Sequence, residues 1–280
     1  MNSFGRLLMG GADERLDPRR PIGYRLYQEH ISRYVFASSF TGGKRALDLG
    51  SGTGYGAAYL AGRGCRDIVG GDIAADAVRY ARQRYPQVSY LRLDAMHLPF
   101  HNATFDVALC FEVVEHVLEP VALLQECHRV LRDGSTFICS TPNRDSRFAL
   151  AGSPYHIREF SVEELLKALR EACFENVTLY GQRFLDPSSM GRNKIRSLIW
   201  DVGGGVLSYW PWAKERLVPH IAKWVIRDSR RISFRDDLNF EADADPFHSV
   251  VPWCQRAGRI PTTIVAVATV RKIRDVGQLL

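Results

Sequence analysis

The sequence predicts an α/β fold built around a doubly wound, mostly parallel β-sheet. Short apolar runs typical of buried strands alternate along the chain with segments of helical spacing, and a glycine-rich turn follows the first run. Strands and helices that alternate in this way form parallel sheets with right-handed crossovers, which place helices on both faces. Because 280 residues exceed the usual size of one domain, an appended segment is expected beside the core.

Helices are predicted where apolar residues recur at helical spacing and where the segment ends carry helix signals. Ser161, followed by Glu163 and Glu164, has the form of an N-cap with acidic residues in the first turn. The pair Asp133-Gly134 is expected to end the preceding helix. The predicted helices cover residues 24–40, a stretch that begins at 55, and residues 75–84, 120–131 and 161–171.

Strands are predicted at short apolar runs bounded by turn residues. They cover residues 45–48, 68–72, 88–93, 105–111, 136–140, 177–181 and 263–270. Between the last two strands lies a long segment that contains all five tryptophans and two mainly helical runs. The chain is therefore expected to divide into an N-terminal helical segment (1–43), a core (44–183 and 263–272) and an inserted helical cap (184–262).

The composition indicates a globular protein that is neither secreted nor membrane-spanning, but it indicates no function. The net charge of +6 is modest for this length and is attributed to solubility, and no dense basic run or aromatic RNA-binding motif indicates a nucleic-acid partner. The six cysteines form no C-x-x-C pair, which predicts reduced core thiols in a cytosolic protein. No signal-peptide core is present near the N-terminus, and no stretch reaches the roughly 18 apolar residues of a membrane span. A cytoplasmic location is expected.

The most informative segment is residues 46–56, where a buried strand ends in Asp48 and runs into a glycine-rich turn that opens a helix. Gly50 and Gly52 let the backbone turn sharply and approach a ligand, while the helix directs unpaired N–H groups into the same space. Asp72, about 20 residues downstream, is placed to accept ribose hydroxyls. The glycine spacing departs from the G-x-G-x-x-G of dinucleotide-binding proteins. These features predict a nucleotide site without deciding which nucleotide it binds.

Two further segments favour one kind of cofactor: Leu93-Asp94-Ala95-Met96 after the third strand and Phe111-Glu-Val-Val-Glu-His116 after the fourth. Together with the glycine-rich turn they resemble class I S-adenosylmethionine-dependent methyltransferases, over about residues 24–182 and the final strand. The resemblance implies S-adenosylmethionine as cofactor. It also implies a Rossmann-like, seven-stranded sheet in the order 3-2-1-4-5-7-6, with the last strand antiparallel.

The resemblance further implies which residues bind the cofactor. The glycine-rich turn would pass under the methionine portion, Asp48 would orient its ammonium group and Phe111 would line the pocket. Asp72 would hold the ribose, and Asp94 would meet the adenine edge. Taken singly, Asp48 or Asp72 is also explained as a helix N-cap or turn residue. The implied cofactor residues are Asp48, Gly50, Ser51, Gly52, Asp72, Ile73, Asp94, Ala95 and Phe111.

The candidate catalytic residues follow the fourth strand, at the carboxyl edge where open α/β sheets bind ligands. Methylation of a hydroxyl requires a group that removes its proton. Glu112, Glu115 and His116 form E-x-x-E-H there, and a helical turn directly after Phe111 would put the two glutamates on one face. With the later His156 they would hold a divalent ion such as magnesium, which lowers the pKa of a bound hydroxyl.

A similar E-x-x-E-H followed by a distant histidine is a metal site in the ubiquinone-pathway O-methyltransferases and the small-RNA 2′-O-methyltransferases, although the spacing departs from the latter. The resemblance makes Glu115, His116 and His156 the candidate catalytic residues and adds Glu112 to the candidate metal ligands. Two alternatives stay open: His116 caps the helix or acts as a base without a metal, and His156 anchors a loop. His30 is expected either to contact substrate or cofactor, or to pack.

Three motifs bear on the acceptor: Glu29-His-x-x-Arg-Tyr-x-Phe, Ser140-Thr-Pro-Asn143 and His156-Ile-Arg-Glu-Phe-Ser161. They resemble methyltransferases of polysaccharide and glycolipid pathways, which implies O-methylation of a sugar, glycan or natural product and a small-molecule or glycan acceptor. One alternative is a phenolic or quinone-type lipid precursor, with the basic insertion resting on a membrane surface. RNA methylation is a further hypothesis, and a non-catalytic S-adenosylmethionine-binding protein is one from another class.

Overall fold

A mixed β-sheet organises residues 23–146, 156–184, 250–252 and 261–272, which are the residues described by this computed structural model. Its strands are β1 (Arg45–Leu49), β2 (Asp67–Asp72), β3 (Ser89–Arg92), β4 (Phe105–Phe111), β5 (Leu131–Pro142), β6 (Phe174–Phe184), β7 (Val251–Pro252) and β8 (Pro261–Val270). The helices are α1 (Gly23–Thr41), α2 (Tyr55–Gly62), α3 (Ala75–Arg84), α4 (Pro120–Val130) and α5 (Val162–Glu171), and a 3₁₀ helix spans Val114–His116.

The strands lie in the order β3-β2-β1-β4-β5-β8-β6-β7. Strands β1 to β5 pair in parallel, whereas β8 runs antiparallel between β5 and β6. When the short edge strand β7 is left aside, β8 is the seventh strand, and the order is the predicted 3-2-1-4-5-7-6. The predicted fold is confirmed. Most of the cap predicted over 184–262 lies outside the described residues.

Strand β7 is an addition to the predicted sheet. It pairs antiparallel with the outer edge of β6, where Val251 lies opposite Gly181 and Pro252 lies opposite Tyr180. Two residues are too few for a periodic pattern to reveal, and a proline in a strand is tolerated mainly at an edge. The strand falls inside the segment 184–262 and extends the core sheet by one short edge.

The central strands are buried on both faces, which explains their nearly continuous apolar sequence. In β4 the side chains of residues 107–110 are all fully buried. Leu123 of α4 and Leu165 of α5 belong to the same apolar cluster as β4 and β5 and are also fully buried. A sheet packed in this way fixes the residues just beyond the carboxyl ends of its strands. No helix among the described residues is long and apolar enough to cross a membrane.

Helix α4 ends at Val130, and β5 begins immediately at Leu131. The pair Asp133-Gly134 lies inside the strand, so the prediction that it ends the helix is wrong. The pairing register shifts there, because Leu131 lies opposite Phe105 while Thr136 lies opposite Val107. Gly134 has a φ of 71°, which suits a bulge in the strand.

Candidate functional site

The turn after β1 presents a glycine-rich loop at the carboxyl edge of the sheet. Gly50 and Gly52 have φ angles of 74° and 53°, a region that favours glycine. A Cβ atom on Gly50 would lie 2.4 Å from Cγ2 of Val113, whereas one on Gly52 would meet nothing within 4 Å. The N–H groups of Gly50 and Ser51 donate to the Gly71 carbonyl at 2.8 and 3.0 Å. The loop is therefore fixed to the end of β2 and keeps open space beside Gly52.

Asp72 supports this loop from the end of β2. Its Oδ2 accepts a hydrogen bond from the Gly52 N–H at 2.8 Å, and its Oδ1 accepts one from the Ala74 N–H at 2.9 Å. The bond from Ala74 is the one expected if Asp72 acts as a turn residue, which was the alternative explanation of this aspartate in the sequence. A carboxylate has further lone pairs on both oxygens, so the same side chain is still able to accept ribose hydroxyls.

The residues implied for adenine follow the neighbouring ends of β2 and β3. The Leu93 N–H donates to the Asp72 carbonyl at 3.0 Å, which holds the two segments together. Ile73 is 43% exposed. Asp94 is exposed and accepts the Met96 N–H at 2.9 Å, and Ala95 is half-buried between them. An exposed apolar side chain beside polar groups fits a flat base with a polar edge.

Asp48 is fully buried at the end of β1. Tyr34 of α1 donates its hydroxyl hydrogen to this carboxyl group, with O···O distances of 3.0 and 3.2 Å. The Tyr34 ring also packs edge-on against Phe111 at 5.1 Å between centroids. Burial raises the pKa of Asp48 to about 7, the Asp72 charge adds to the rise, and the bond from Tyr34 opposes it. A carboxyl group in this state is ready to be stabilised by a nearby cation.

The residues around the loop fit S-adenosylmethionine. The hydroxyl of Ser51 is buried and has no hydrogen-bond partner among the described residues, and the space beside Gly52 is open. A buried polar group without a partner costs free energy of folding unless a ligand completes it. The loop would hold the methionine portion, Asp72 the ribose, and the Ile73 and Asp94 region the adenine.

The three predicted catalytic residues come together at the end of β4. One ligand atom each from Glu115, His116 and His156 lies within 4.8 Å of the others, and the two imidazole centroids are 5.0 Å apart. His156 reaches this place because the N–H groups of Ile157 and Arg158 donate to the Glu115 carbonyl at 3.0 and 3.2 Å. Sequence positions some forty residues apart are thus joined by backbone hydrogen bonds.

The polar atoms of this cluster are only partly satisfied. Glu115 is fully buried, and its Oε2 accepts the Thr141 hydroxyl at 3.0 Å. Oε1 of Glu115 and Nδ1 of His156 are buried without a hydrogen-bond partner among the described residues. Burial and the Glu112 charge raise the pKa of Glu115 well above its usual value, while burial and His116 lower the pKa of His156. These two effects favour the neutral form of the His156 imidazole, while the charges of Glu112 and Glu159 oppose them.

Glu112 is not part of this cluster. The 3₁₀ helix begins only at Val114, and Glu112 itself has a left-handed φ of 54°, so the helical turn directly after Phe111 that would have put both glutamates on one face does not form. Its Oε1 accepts the Ser140 hydroxyl at 2.7 Å and lies 3.4 Å from Nη1 of Arg33. Of the four predicted metal ligands, the structure brings three together and turns Glu112 toward Arg33.

Helix α1 contributes more to the site than the sequence indicated. His30 is half-buried, and burial together with Arg33 lowers its pKa well below the usual value. Arg33 and Tyr34, which sequence reasoning did not assign to the site, contact Glu112 and Asp48. Both belong to the Glu29-His-x-x-Arg-Tyr-x-Phe motif, so the signal was present but its partners were not predictable.

The substitution Asp48→Asn is expected to flatten the pH dependence of stability. Because burial raises the pKa of Asp48 from 3.8 to about 7, the folded chain holds this proton more tightly than the unfolded chain. Stability is therefore lost as pH rises through this interval, and the variant escapes that loss. Urea unfolding at about pH 5 and about pH 8, without ligand, measures the difference. Asp133→Asn, at an exposed position, is the control, and equal slopes in wild type and Asp48→Asn would contradict the prediction.

Comparisons with known proteins agree with this geometry. A family model described as a methyltransferase domain matches residues 47–139. The chain is 32% identical over 243 residues to a probable S-adenosylmethionine-dependent methyltransferase of Mycobacterium tuberculosis, which covers 83% of this chain and 85% of that protein. A Mycolicibacterium smegmatis protein of the same description is 35% identical over 153 residues, 53% of this chain and 59% of the relative.

Two further similarities concern the activity and the fold. A ubiquinone biosynthesis O-methyltransferase of Psychrobacter cryohalolentis is 31% identical over 166 residues, which is 53% of this chain and 64% of that protein. The crystal structure of a methyltransferase from Thermotoga maritima, described as a possible histamine N-methyltransferase, aligns with a TM-score of 0.54 at 19% identity, over 89% of this chain and 96% of its own, and supports the fold. The chain belongs to the S-adenosylmethionine-dependent methyltransferases and uses S-adenosylmethionine as its cofactor.

Proposed function

We propose that this enzyme methylates a hydroxyl group of a sugar, glycan or other natural product, and that His156, clustered with Glu115 and His116, receives the hydroxyl proton. The observation that carries the proposal is the cluster of these three side chains at the end of β4, beside the cofactor loop. Methyl acceptors that are already nucleophilic need no base, whereas a hydroxyl does. A neutral imidazole held beside a buried carboxyl group is suited to that task.

The cofactor supplies a methyl group on a positively charged sulfur. The contribution of the chain is to bind, to orient and to move one proton. Phe111, at the end of β4, and Tyr34, in the middle of α1, pack against each other and are each only 5% exposed, so they would limit the access of water to this side of the loop. The neutral imidazole of His156 has its Nδ1 free of hydrogen bonds among the described residues and is the proton acceptor of this proposal.

A divalent ion held by Glu115, His116 and His156 is a second form of the same proposal. The unsatisfied Oε1 of Glu115 and Nδ1 of His156 suit a cation. Two imidazoles and one carboxylate match manganese or zinc better than magnesium, which prefers oxygen ligands. Calorimetric titration of the full chain with manganese and with magnesium tests this form. A binding heat that is present in the wild type and lost in His156→Asn supports the ion. If the wild type shows no binding heat and a chelator leaves its activity unchanged, the ion is removed from the proposal.

A phenolic or quinone-type lipid precursor at a membrane surface is the second candidate acceptor. Leu118 is 62% exposed and lies two residues after His116, and Ile157 is 39% exposed and directly follows His156. Exposed apolar side chains beside a polar cluster favour an acceptor with an apolar body. The similarity to a ubiquinone biosynthesis O-methyltransferase is consistent with that chemistry.

Measuring the formation of S-adenosylhomocysteine with a panel of acceptors distinguishes these hypotheses. The panel contains hexoses, oligosaccharides and a glycolipid on one side, and catechol with and without an octyl chain on the other. Turnover of the sugars is the expected result. Turnover of the alkylated catechol alone, with flotation of the enzyme on anionic vesicles, would move the assignment to the second candidate. No turnover with any acceptor, despite tight binding of S-adenosylhomocysteine, would favour a non-catalytic S-adenosylmethionine-binding protein.

A further inference from the structure

A groove at the β3 edge of the sheet is lined by three arginines. It lies between α3 and β3 and has a volume of about 470 Å³, which is in the size range of small-molecule sites. Arg79 and Arg82 are three residues apart in α3 and share one face of that helix, and Arg92 is the last residue of β3. The residues that line the groove are Ala75, Val78, Arg79, Arg82, Gln83 and Arg92.

The positive charges of this groove are not neutralised by carboxylates of the described residues. None of the lining residues is acidic, and none of the three arginines forms an ion pair within the described part of the chain. Other arginines of the sheet differ in this respect, because Arg45, Arg129 and Arg132 each contact an aspartate or a glutamate. Like charges gathered in a concave surface raise the local concentration of ligands of the opposite charge. The groove is therefore suited to an anion.

Two of the guanidinium groups are held in position by backbone carbonyls. Nε of Arg82 donates to the Tyr90 carbonyl at 2.8 Å, and Nε of Arg92 donates to the Ile73 carbonyl at 3.1 Å. The Nη groups of both arginines have no acceptor among the residues that the structure describes. Because these side chains are already ordered, less conformational entropy is lost when a ligand binds them. Their Nη–H groups match the oxygens of a phosphate.

The number of charges favours a phosphate over a carboxylate. A phosphate ester carries a charge of about −1.5 to −2 at pH 7 and three acceptor oxygens, whereas a carboxylate carries one charge on two oxygens. The groove is also much larger than a phosphate group alone, and Ala75 and Val78 add apolar lining for an organic part of the ligand. We propose that the groove binds the phosphate group of a small phosphorylated molecule.

This groove is separate from the place of methyl transfer. Arg92 lies opposite Asp72 in the pair of β2 and β3, so the groove borders the residues implied for ribose and adenine. Strands β2 and β1 lie between β3 and β4, which separates the groove from the Glu115 cluster by roughly 14 Å at about 4.8 Å per strand. The phosphate therefore binds outside the reacting centre, and the inference does not depend on the identity of the acceptor.

Calorimetry of the full chain with inorganic pyrophosphate tests this site. Saturating S-adenosylhomocysteine keeps the pyrophosphate away from the glycine-rich loop. A Kd of about 0.1 mM is expected at low ionic strength, and it should rise with added salt. In Arg79→Met the Kd is expected to rise about 10-fold, the effect of a lost hydrogen bond to a charged group.

The variant Arg79→Met is expected to fold normally, because this side chain is exposed and makes no hydrogen bond or ion pair with the described residues. Arg170→Met, at an exposed arginine of α5, is the matched control and should leave the Kd unchanged. Equal Kd values in the wild type and Arg79→Met, or an equal loss in Arg170→Met, would overturn the proposal.

Competition identifies the kind of ligand. Glucose 6-phosphate and glycerol 3-phosphate carry a phosphate on an organic body and are expected to displace pyrophosphate, whereas acetate is expected to bind at least about 10-fold more weakly. Failure of both esters to compete would overturn the assignment. Flotation on phosphatidylglycerol vesicles that is lost in Arg79→Met, without binding of soluble phosphates, would assign the groove to a membrane surface instead. Failure of S-adenosylhomocysteine to bind would contradict only the cofactor assignment, and the titration without it still decides the proposal.

Discussion

Replacing His156 with asparagine is expected to lower kcat by about 10²- to 10⁴-fold, the usual contribution of a positioned general base. Asparagine keeps a polar side chain of similar length but accepts no proton. The Ile157 and Arg158 N–H groups still donate to the Glu115 carbonyl, so the loop stays in place. The Kd of S-adenosylhomocysteine should change less than about twofold, because the cofactor residues are untouched.

The rate is measured with whichever acceptor the panel identifies, and the Kd by calorimetry. His97→Asn is the matched control, since this side chain is 84% exposed and contacts only Asp94 among the proposed site residues. A His156→Asn enzyme with a normal kcat would show that the cluster is not the proton acceptor. A matching loss of kcat and of cofactor affinity would instead indicate a disturbed fold.

The substitution Gly56→Ala is expected to lower the free energy of unfolding by about 3 kcal/mol or more, at the upper end for overpacked cores. Gly56 is buried in α2, and a Cβ atom there would lie 2.0 Å from Cζ of Tyr34. The ring has no room to move away, because its hydroxyl is bonded to Asp48 and its edge packs against Phe111. Relief requires displacement of α1, so binding of S-adenosylhomocysteine should weaken as well.

Gly62→Ala is the matched control for this prediction. Gly62 is in the same helix, and a Cβ atom there would meet nothing within 4 Å. The exchange of glycine for alanine in a helix is then expected to be neutral or to stabilise by up to about 1 kcal/mol. Urea unfolding of both variants measures the difference. A Gly56→Ala protein as stable as Gly62→Ala would show that the contact between α1 and α2 is loose.

The core was predictable because its residues carry their own local signals. Parallel strands buried on both faces must be apolar nearly throughout, so β1, β2 and β4 stand out in the sequence. Once the strand ends are known, counting places Asp48, Asp72 and Asp94 at one edge. The structure puts them there. Asp72 and Asp94 also make the local bonds of turn residues, to the N–H groups of Ala74 and Met96, whereas Asp48 is bonded by Tyr34 of α1.

The rest of the site depends on contacts between distant segments. Glu112 has a left-handed backbone conformation, and its side chain accepts a hydrogen bond from Ser140 of β5. The residues around Glu112 in the sequence predict neither feature. Arg33 meets Gln182 across 149 residues of sequence. The bulge that draws Gly134 into β5 likewise follows from pairing with β4. Such features depend on contacts that form when the sheet assembles, so the sequence of one segment alone does not predict them.

Strands β6 and β8 are neighbours in the sheet, since Phe184 at the end of β6 lies opposite Pro261 at the start of β8, and of the chain between them only the two residues of β7 are described as part of the sheet. The free energy of closing a loop grows slowly with its length, so segments of very different size fit between these two points. Neither strand needs to change register to admit them. Segments of different length and sequence can therefore be inserted between β6 and β8 without altering the register of the sheet that carries the glycine-rich loop.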